Sequence, residues 1–419
     1  MNRPFKSAAL SIRDFRLLLI NKFLLTFGLQ MIGVIVGWQI YQMTHDPLAL
    51  GFIGLAEAVA FIAFALWAGH ITDQTEKRLL ILGSETLALV CALALWAISC
   101  CISPRLLWIY GVIAVSGLAR SFLWSSSTAY IEMVVPKDIY SEAAAWNSTS
   151  WEIACIAGPA AGGIIYGVAG ARVAYAVAAS CIAAGLLFAI DLNKRPPLSS
   201  GKRENLWESL ATGVRFVFRH EFILAALALD MFAVLFGGVV AVLPIFAEIL
   251  NVGPTGLGFL RASQSVGAIL MAVAQTRRPP FKNSGRTLLI VVSLFGLAII
   301  AFGLSKNFYL SMAILAFAGA VDNISVVIRS SILQAATPNH MRGRVSAVNG
   351  IFIGSSNEIG AFESGLAAKL MGTVPSVIFG GAMTLLTVFV SFLVFPKLRK
   401  LKAVTDLGSE GLSADLKTP

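Results

Sequence analysis

Charge is scarce in this chain. Only 13% of its 419 residues are Asp, Glu, Lys or Arg, 57% are hydrophobic, and the mean hydropathy is +0.80. A soluble domain cannot hide that much apolar surface, so most of it must face lipid or neighbouring helices. Histidine is scarcer still: the four (His45, His70, His220, His340) fall in loops or at span edges and show no ligand spacing for a metal. No glycine-rich phosphate loop with its lysine occurs, and there is no room for an ATPase domain, so the energy source is not ATP hydrolysis within the chain. With no catalytic constellation, cofactor motif or metal site, the chain does not read as an enzyme. The five cysteines (Cys91, Cys100, Cys101, Cys155, Cys181) lie in apolar runs and read as packing residues, with Cys100 and Cys101 near a membrane edge left open as reactive. Acids are outnumbered, 22 against 32 Lys and Arg, giving a net charge of +10. Such an excess can mark nucleic-acid binding, but its distribution here sets an orientation in a membrane instead.

What the chain does have is a series of apolar runs of about 20 residues, each able to cross a hydrocarbon core of ~30 Å as a helix. Twelve spans are expected, with cores near 16–40, 49–69, 79–101, 107–132, 143–168, 173–192, 222–249, 257–275, 287–304, 309–334, 344–370 and 375–395. The loops alternate in charge. One side carries Lys77, Arg78, Lys137, the cluster from Lys194 to Arg219, the group Arg277 to Arg286, Arg342, and Lys397 to Lys402; the other carries little beyond Arg105, Arg172 and Lys306. By the positive-inside rule both termini are cytoplasmic, which requires an even number of spans. The first run has no cleavage site after it and reads as a retained helix. The expected fold is therefore an all-α membrane protein of twelve transmembrane helices. Its parts are residues 1–192 as one six-helix bundle, 193–221 as a cytoplasmic linker, 222–395 as a second bundle, and 396–419 as a tail. Within the linker, 206–219 has amphipathic helical spacing and is expected to lie along the inner membrane surface.

The two bundles are copies. At an offset of 202, Gly117 aligns with Gly319, Pro136 with Pro338, Asn147 with Asn349 and Gly158 with Gly360; Arg120 falls opposite Asp322. At an offset of 207, Asp46-Pro47-Leu48-Ala49-Leu50-Gly51 matches Gly253-Pro254-Thr255-Gly256-Leu257-Gly258, and Glu57 falls opposite Gln264. Internal repeats in a multi-span chain are the pattern of a transporter with its substrate site between the repeats.

Between spans 2 and 3, Gly69-His70-Ile71-Thr72-Asp73-Gln74-Thr75-Glu76-Lys77-Arg78 resembles the loop signature of the major facilitator superfamily. It departs from that signature at Gln74, where a basic residue is common, and at Glu76, where glycine is common. The resemblance implies that Gly69, Asp73, Lys77 and Arg78 gate the cytoplasmic side, and that spans 4 and 10 line the central cavity. Gly158-Pro159-Ala160-Ala161-Gly162-Gly163 resembles the superfamily's antiporter signature, which is associated with exporters; the alternative is tight helix packing at Gly158, Pro159, Gly162 and Gly163. Three further stretches, from Asp230 to Gly238, Gly256 to Ala262 and Met341 to Asn349, are similar to the enterobactin-exporter-like and macrolide-efflux-like branch.

An ionisable group at membrane depth costs several kcal/mol unless paired or hydrated, so each is a site hypothesis. Arg120 and Asp322 share a depth near the midplane. Either Arg120 holds an anionic cargo or the two form a permanent bridge. Asp230 on span 7 is a candidate proton carrier, with Asp322, Glu57, Glu152 and Glu358 as further candidates; Glu363 adds another acid. Arg261 is read as substrate-side or snorkelling, Lys22 as snorkelling, and Arg329 as part of an inner gate with Arg342 and Arg344. Trp38, Trp151, Phe232 and Phe236 are candidates for an aromatic pocket. The combined expectation is a monomeric inner-membrane exporter of a small amphipathic organic molecule, a siderophore first, working by alternating access against protons. Its partners are the substrate, protons and the bilayer, with no nucleic acid and no cofactor. The alternatives are a multidrug or macrolide pump, and a siderophore importer or uncoupled facilitator.

Overall fold

The computed structural model describes residues 7–101, 105–195, 206–276, 281–338 and 341–403. The tail beyond residue 403 and the linker stretch 196–205 lie outside the described residues. Those described are overwhelmingly helical. The first four spans are α1 (Arg13–Thr44), α2 (Pro47–Gln74), α3 (Lys77–Cys100) and α4 (Leu106–Val134). Pro47 supplies the first turn of α2, where a missing N–H costs nothing, and Asp46 caps it by accepting from Leu48 N–H at 3.0 Å. A continuous run, Tyr140–Ile190, follows, and at Gly170 its backbone takes φ 80°, a conformation that only glycine adopts without strain. The chain turns there, giving two arms, 140–169 (α5) and 171–190 (α6), where the sequence places spans 5 and 6.

The linker helix α7 (Leu206–Arg219) leads into α8 (Glu221–Gly237), then a short α9 (Leu243–Ile249) and α10 (Gly253–Thr276). The remaining helices are α11 (Ser284–Leu304), α12 (Phe308–Ala336), α13 (Arg342–Met371) and α14 (Thr373–Val394). Among the described residues ten helical stretches are long and apolar enough to cross a membrane. One is the double-armed run, and α13 has the length but carries too many polar residues to count by composition. Twelve crossings fit this set.

The chain divides into two compact units: Met1–Arg203 with Leu243–Ala262, and Glu204–Val242 with Ser263–Pro419. In the first unit α1 packs along α5 and α6, and α2 along α4. The short segment from the second repeat belongs to this unit because it lies on α1 and α5. A Cβ at Gly163 would stand 2.4 Å from Pro254 O, and one at Gly258 would stand 2.4 Å from Pro159 O. Only glycine permits that approach, so the Gly/Pro run of span 5 acts as a packing surface here. In the second unit α8 is surrounded by α12, α13 and α14.

The repeat is visible in how helices cross. A Cβ at Gly117 would meet Glu57 O at 2.9 Å, and a Cβ at the equivalent Gly319 would meet Gln264 O at 1.9 Å. The partners, Glu57 and Gln264, are themselves repeat-related, so α2 crosses α4 as α10 crosses α12. Likewise Gly158 meets Phe27, and Gly360 meets Val234, the residue 207 positions after Phe27.

The linker helix forms where expected, and part of its apolar side packs on protein. Val217, Ile223, Leu227, Met341, Val345 and Val348 are buried together, with Val214 and Phe216 packed against them. This part of the helix meets the start of α13, where Gly213 lets the two backbones come close, while Phe218 is exposed.

Candidate functional site

In the second unit, Asp230 sits about two and a half turns into α8 and faces α12. There Asp322, Ser325 and Arg329 share one stripe, since spacings of three and seven residues return to the same helix face. Arg329 forms an ion pair with Asp230; the two side chains are 10% and 11% exposed. The Arg329 Nε also donates to Ser325 O at 3.3 Å. A small cavity opens beside the pair, and Asp230, Val234, Phe295, Asp322 and Ser325 line it. Two carboxylates and one guanidinium thus converge in an apolar setting on helices that are 99 residues apart in sequence at the pair itself. An inner-gate grouping of Arg329 with Arg342 and Arg344 is not what the structure shows. Arg329 is turned into the bundle towards Asp230, while Arg342 is exposed, 3.4 Å from Gln334 O, and Arg344 reaches Met341 Sδ at 3.6 Å. The physical reason is charge: the cation at that depth of α12 meets the acid in the middle of α8, while Glu221 at the start of α8 pairs with Lys397.

In the first unit, Arg120 on α4 forms an ion pair with Glu57 on α2, the side chains being 39% and 23% exposed. The Arg120 guanidinium also lies 5.3 Å from the Phe61 ring centroid, one turn along α2. Arg120 begins a stripe on α4 at four-residue spacing: Trp124, Thr128 and Glu132, all exposed. Ionised groups at both ends make hydrocarbon an expensive neighbour for this stripe, so it presents to protein or water. Trp124 is 65% exposed and meets Trp151 of α5, 44% exposed, edge-on at 6.5 Å. Trp124 escaped the sequence reading. Its spacing from Arg120 was the available signal.

Other predicted residues fall elsewhere. Trp38 is 7% exposed, in a stretch of α1 buried on every side, and does not face an open pocket. Phe232 is exposed on α8 and Phe236 half-buried against Gly380 of α14. Arg261 lies against α1: its guanidinium covers Gly33, where a Cβ would touch it at 3.0 Å. Lys22 does not snorkel; its Nζ donates to Asn147 Oδ1 at 2.7 Å. Glu152, Glu358 and Glu363 are half-buried.

At the loop signature, Lys77 is buried and its Nζ donates to Thr72 O and, at 3.3 Å, to Thr75 O, so it caps the end of α2. Arg78 donates to Ile190 O, the last carbonyl of α6. Both cations sit at helix C-termini, where carbonyls lack partners. The side chain of Asp73 lies outside the described residues; a Cβ at Gly69 would meet nothing within 4 Å. The sequence reading also missed Glu85, an acid 1% exposed on α3, although a lone carboxylate in an apolar run was signal enough.

No cluster of three or more His, Cys, Asp or Glu able to hold a metal occurs among the described residues. Comparison with known proteins gives a consistent picture. The chain is 25% identical over 393 residues to enterobactin exporter EntS of Escherichia coli O1:K1 and, equally, of Shigella boydii serotype 18, covering 93% of each chain. Its fold is similar to that of the nucleoside transporter NupG, with a TM-score of 0.69, 12% identity, and 91% of this chain and 99% of that one covered. It is also similar to the human organic anion transporter MFSD10, with a TM-score of 0.65, 15% identity, and 90% and 99% covered. The chain is a multi-pass membrane transporter with the fold of the major facilitator superfamily, not an enzyme. With the profile matched across residues 5–416, almost its whole length, the chain belongs to the transmembrane secretion effector family.

Proposed function

We propose that this protein exports a small amphipathic organic molecule, a siderophore, across a bacterial inner membrane by alternating access, in exchange for protons. Both termini are cytoplasmic in this reading, as the loop charges favour, and the chain works as a monomer. The siderophore assignment is supported by the chain-long likeness to enterobactin exporters. The observation that carries the coupling is the cluster of Asp230, Arg329 and Asp322. Proton uptake by one carboxylate weakens the hold of Arg329, and loss of that proton restores it, so protonation biases one arrangement of α8 and α12 over another. Cargo contact belongs to the first bundle. Arg120 draws an anionic group, and Phe61, Trp124 and Trp151 offer apolar faces beside it. The same aromatic face favours efflux of amphipathic drugs as a second reading.

The test is transport into inverted membrane vesicles with an imposed inside-acid gradient, using a catecholate siderophore and a drug panel. The vesicle lumen corresponds to the outside of the cell, so an antiporter takes cargo in as protons leave. Wild type is expected to respond to the gradient, and Asp230→Asn or Asp322→Asn to fall to the level of vesicles without the protein. Uptake indifferent to pH, with both variants active, would leave a facilitator or importer in its place.

A further inference from the structure

Glu85 and Asn21 form a polar island between two apolar clusters of the first unit. Glu85 lies on α3, one turn from Ile81 on one side and from Ala88 on the other, and both of these are buried in separate clusters. Each member of the island is 1% exposed. Asn21 Nδ2 donates to Glu85 Oε1 at 2.6 Å and to Gly185 O on α6 at 3.0 Å. This fixes the amide: turned over, its oxygen would confront the Gly185 carbonyl, acceptor against acceptor. Both hydrogens of the amide are then committed.

Two acceptors remain. Asn21 Oδ1 and Glu85 Oε2 are each buried and, among the described residues, without a hydrogen-bond partner. Among the described residues no Lys or Arg forms an ion pair with Glu85. The neighbouring cation, Lys22, is turned to Asn147. A bare carboxylate in such a place has neither a counter-charge nor enough donors, and several kcal/mol would oppose it. One proton on Oε2 resolves both vacancies, because the resulting O–H is the donor that Asn21 Oδ1 lacks. The acid and the amide then close a cyclic pair with every strong donor used.

We propose that Glu85 is a proton-binding site of the first bundle, holding its proton as an O–H donated to Asn21 Oδ1 between α1, α3 and α6. The site is separate from the Asp230 cluster and does not rest on the export reading. Binding adds one proton to one carboxylate oxygen and breaks no other bond. Release requires the Asn21 contact to open to water, which ties the proton to the packing of α1 on α3 and α6.

Infrared spectroscopy of the full-length protein in lipid nanodiscs at neutral pH tests this directly. The wild-type minus Glu85→Gln difference is expected to show one protonated-carboxyl C=O band that shifts in D2O. Glu85→Gln should keep the wild-type melting temperature, since the glutamine amide offers the same acceptor and donor. Should that variant not fold, Asn21→Ala carries the test: the same band must move to higher frequency as the acid loses its partner. Loss of ionised-carboxylate bands in Glu85→Gln, with the protonated-carboxyl region unchanged, overturns the proposal. Failure of gradient-driven transport in the Asp230 variant leaves the Glu85 band untouched, so the two readings fail separately.

Discussion

The two bundles cross their helices at equivalent glycines but distribute charge differently. Where the first has Glu57 and Arg120, paired and partly open, the second has Gln264 and Asp322. Where the second has Asp230 and Arg329, paired and enclosed, the positions 207 and 202 residues earlier are Phe23 and Ser127. The backbone scaffold was duplicated and the ionisable groups were not. An open pair suits contact with a cargo that comes and goes. An enclosed pair suits a proton, which reaches it without displacing side chains. Each bundle thus carries a different part of the proposed cycle on the same frame.

Removing one cation from each bundle tests that contrast most severely. Arg329→Leu strands a buried acid and is expected to cost ~3–5 kcal/mol, read as a lower melting temperature in detergent. Arg120→Leu, in a half-exposed pair, is expected to cost ~1 kcal/mol or less while abolishing transport of an anionic cargo. Equal losses of stability would erase the distinction between an enclosed and an open pair.

The scaffold itself comes next. Gly319→Ala, whose Cβ would lie 1.9 Å from a backbone carbonyl, should destabilise more than Gly117→Ala at 2.9 Å; overpacking of this kind costs ~1–3 kcal/mol. If the Gly117 variant melts lower, the two crossings do not differ as described. The smallest effect is expected from making one bundle resemble the other: Glu57→Gln should change stability by less than ~1 kcal/mol. Its Km for an anionic siderophore should still shift, because the carboxylate of Glu57 beside Arg120 no longer repels the cargo's own negative charge. An unchanged Km would remove Arg120 from the cargo site.

Much of this was readable along the chain. Span positions follow from apolar length, the break near Gly170 from the gap between two such runs, and the duplication from matched glycines and prolines. Arg120, Asp230 and Asp322 stood out because charge is costly at depth. The partners did not. These helices are apolar on nearly every face, so periodicity gives little hint of which side meets which neighbour. That is why Arg329 was grouped with Arg342 and Arg344, nearby in sequence, instead of with Asp230. Trp38 reads as an aromatic candidate until α1 is seen to be enclosed by its neighbours. Glu85 differs from the acids that were singled out only in its surroundings.

The sequence by itself determined the class of molecule: its spans, its repeat, and the few residues that cannot be indifferent to a membrane. Those are one-dimensional quantities, set by transfer free energy and helix length. Tertiary structure alone decided which charges are joined, Glu57 to Arg120 and Asp230 to Arg329, and that Glu85 meets an amide instead of a cation. Pairing depends on how helices far apart in the chain are rotated against one another, and the close glycine contacts that set that rotation exist only once the helices have packed.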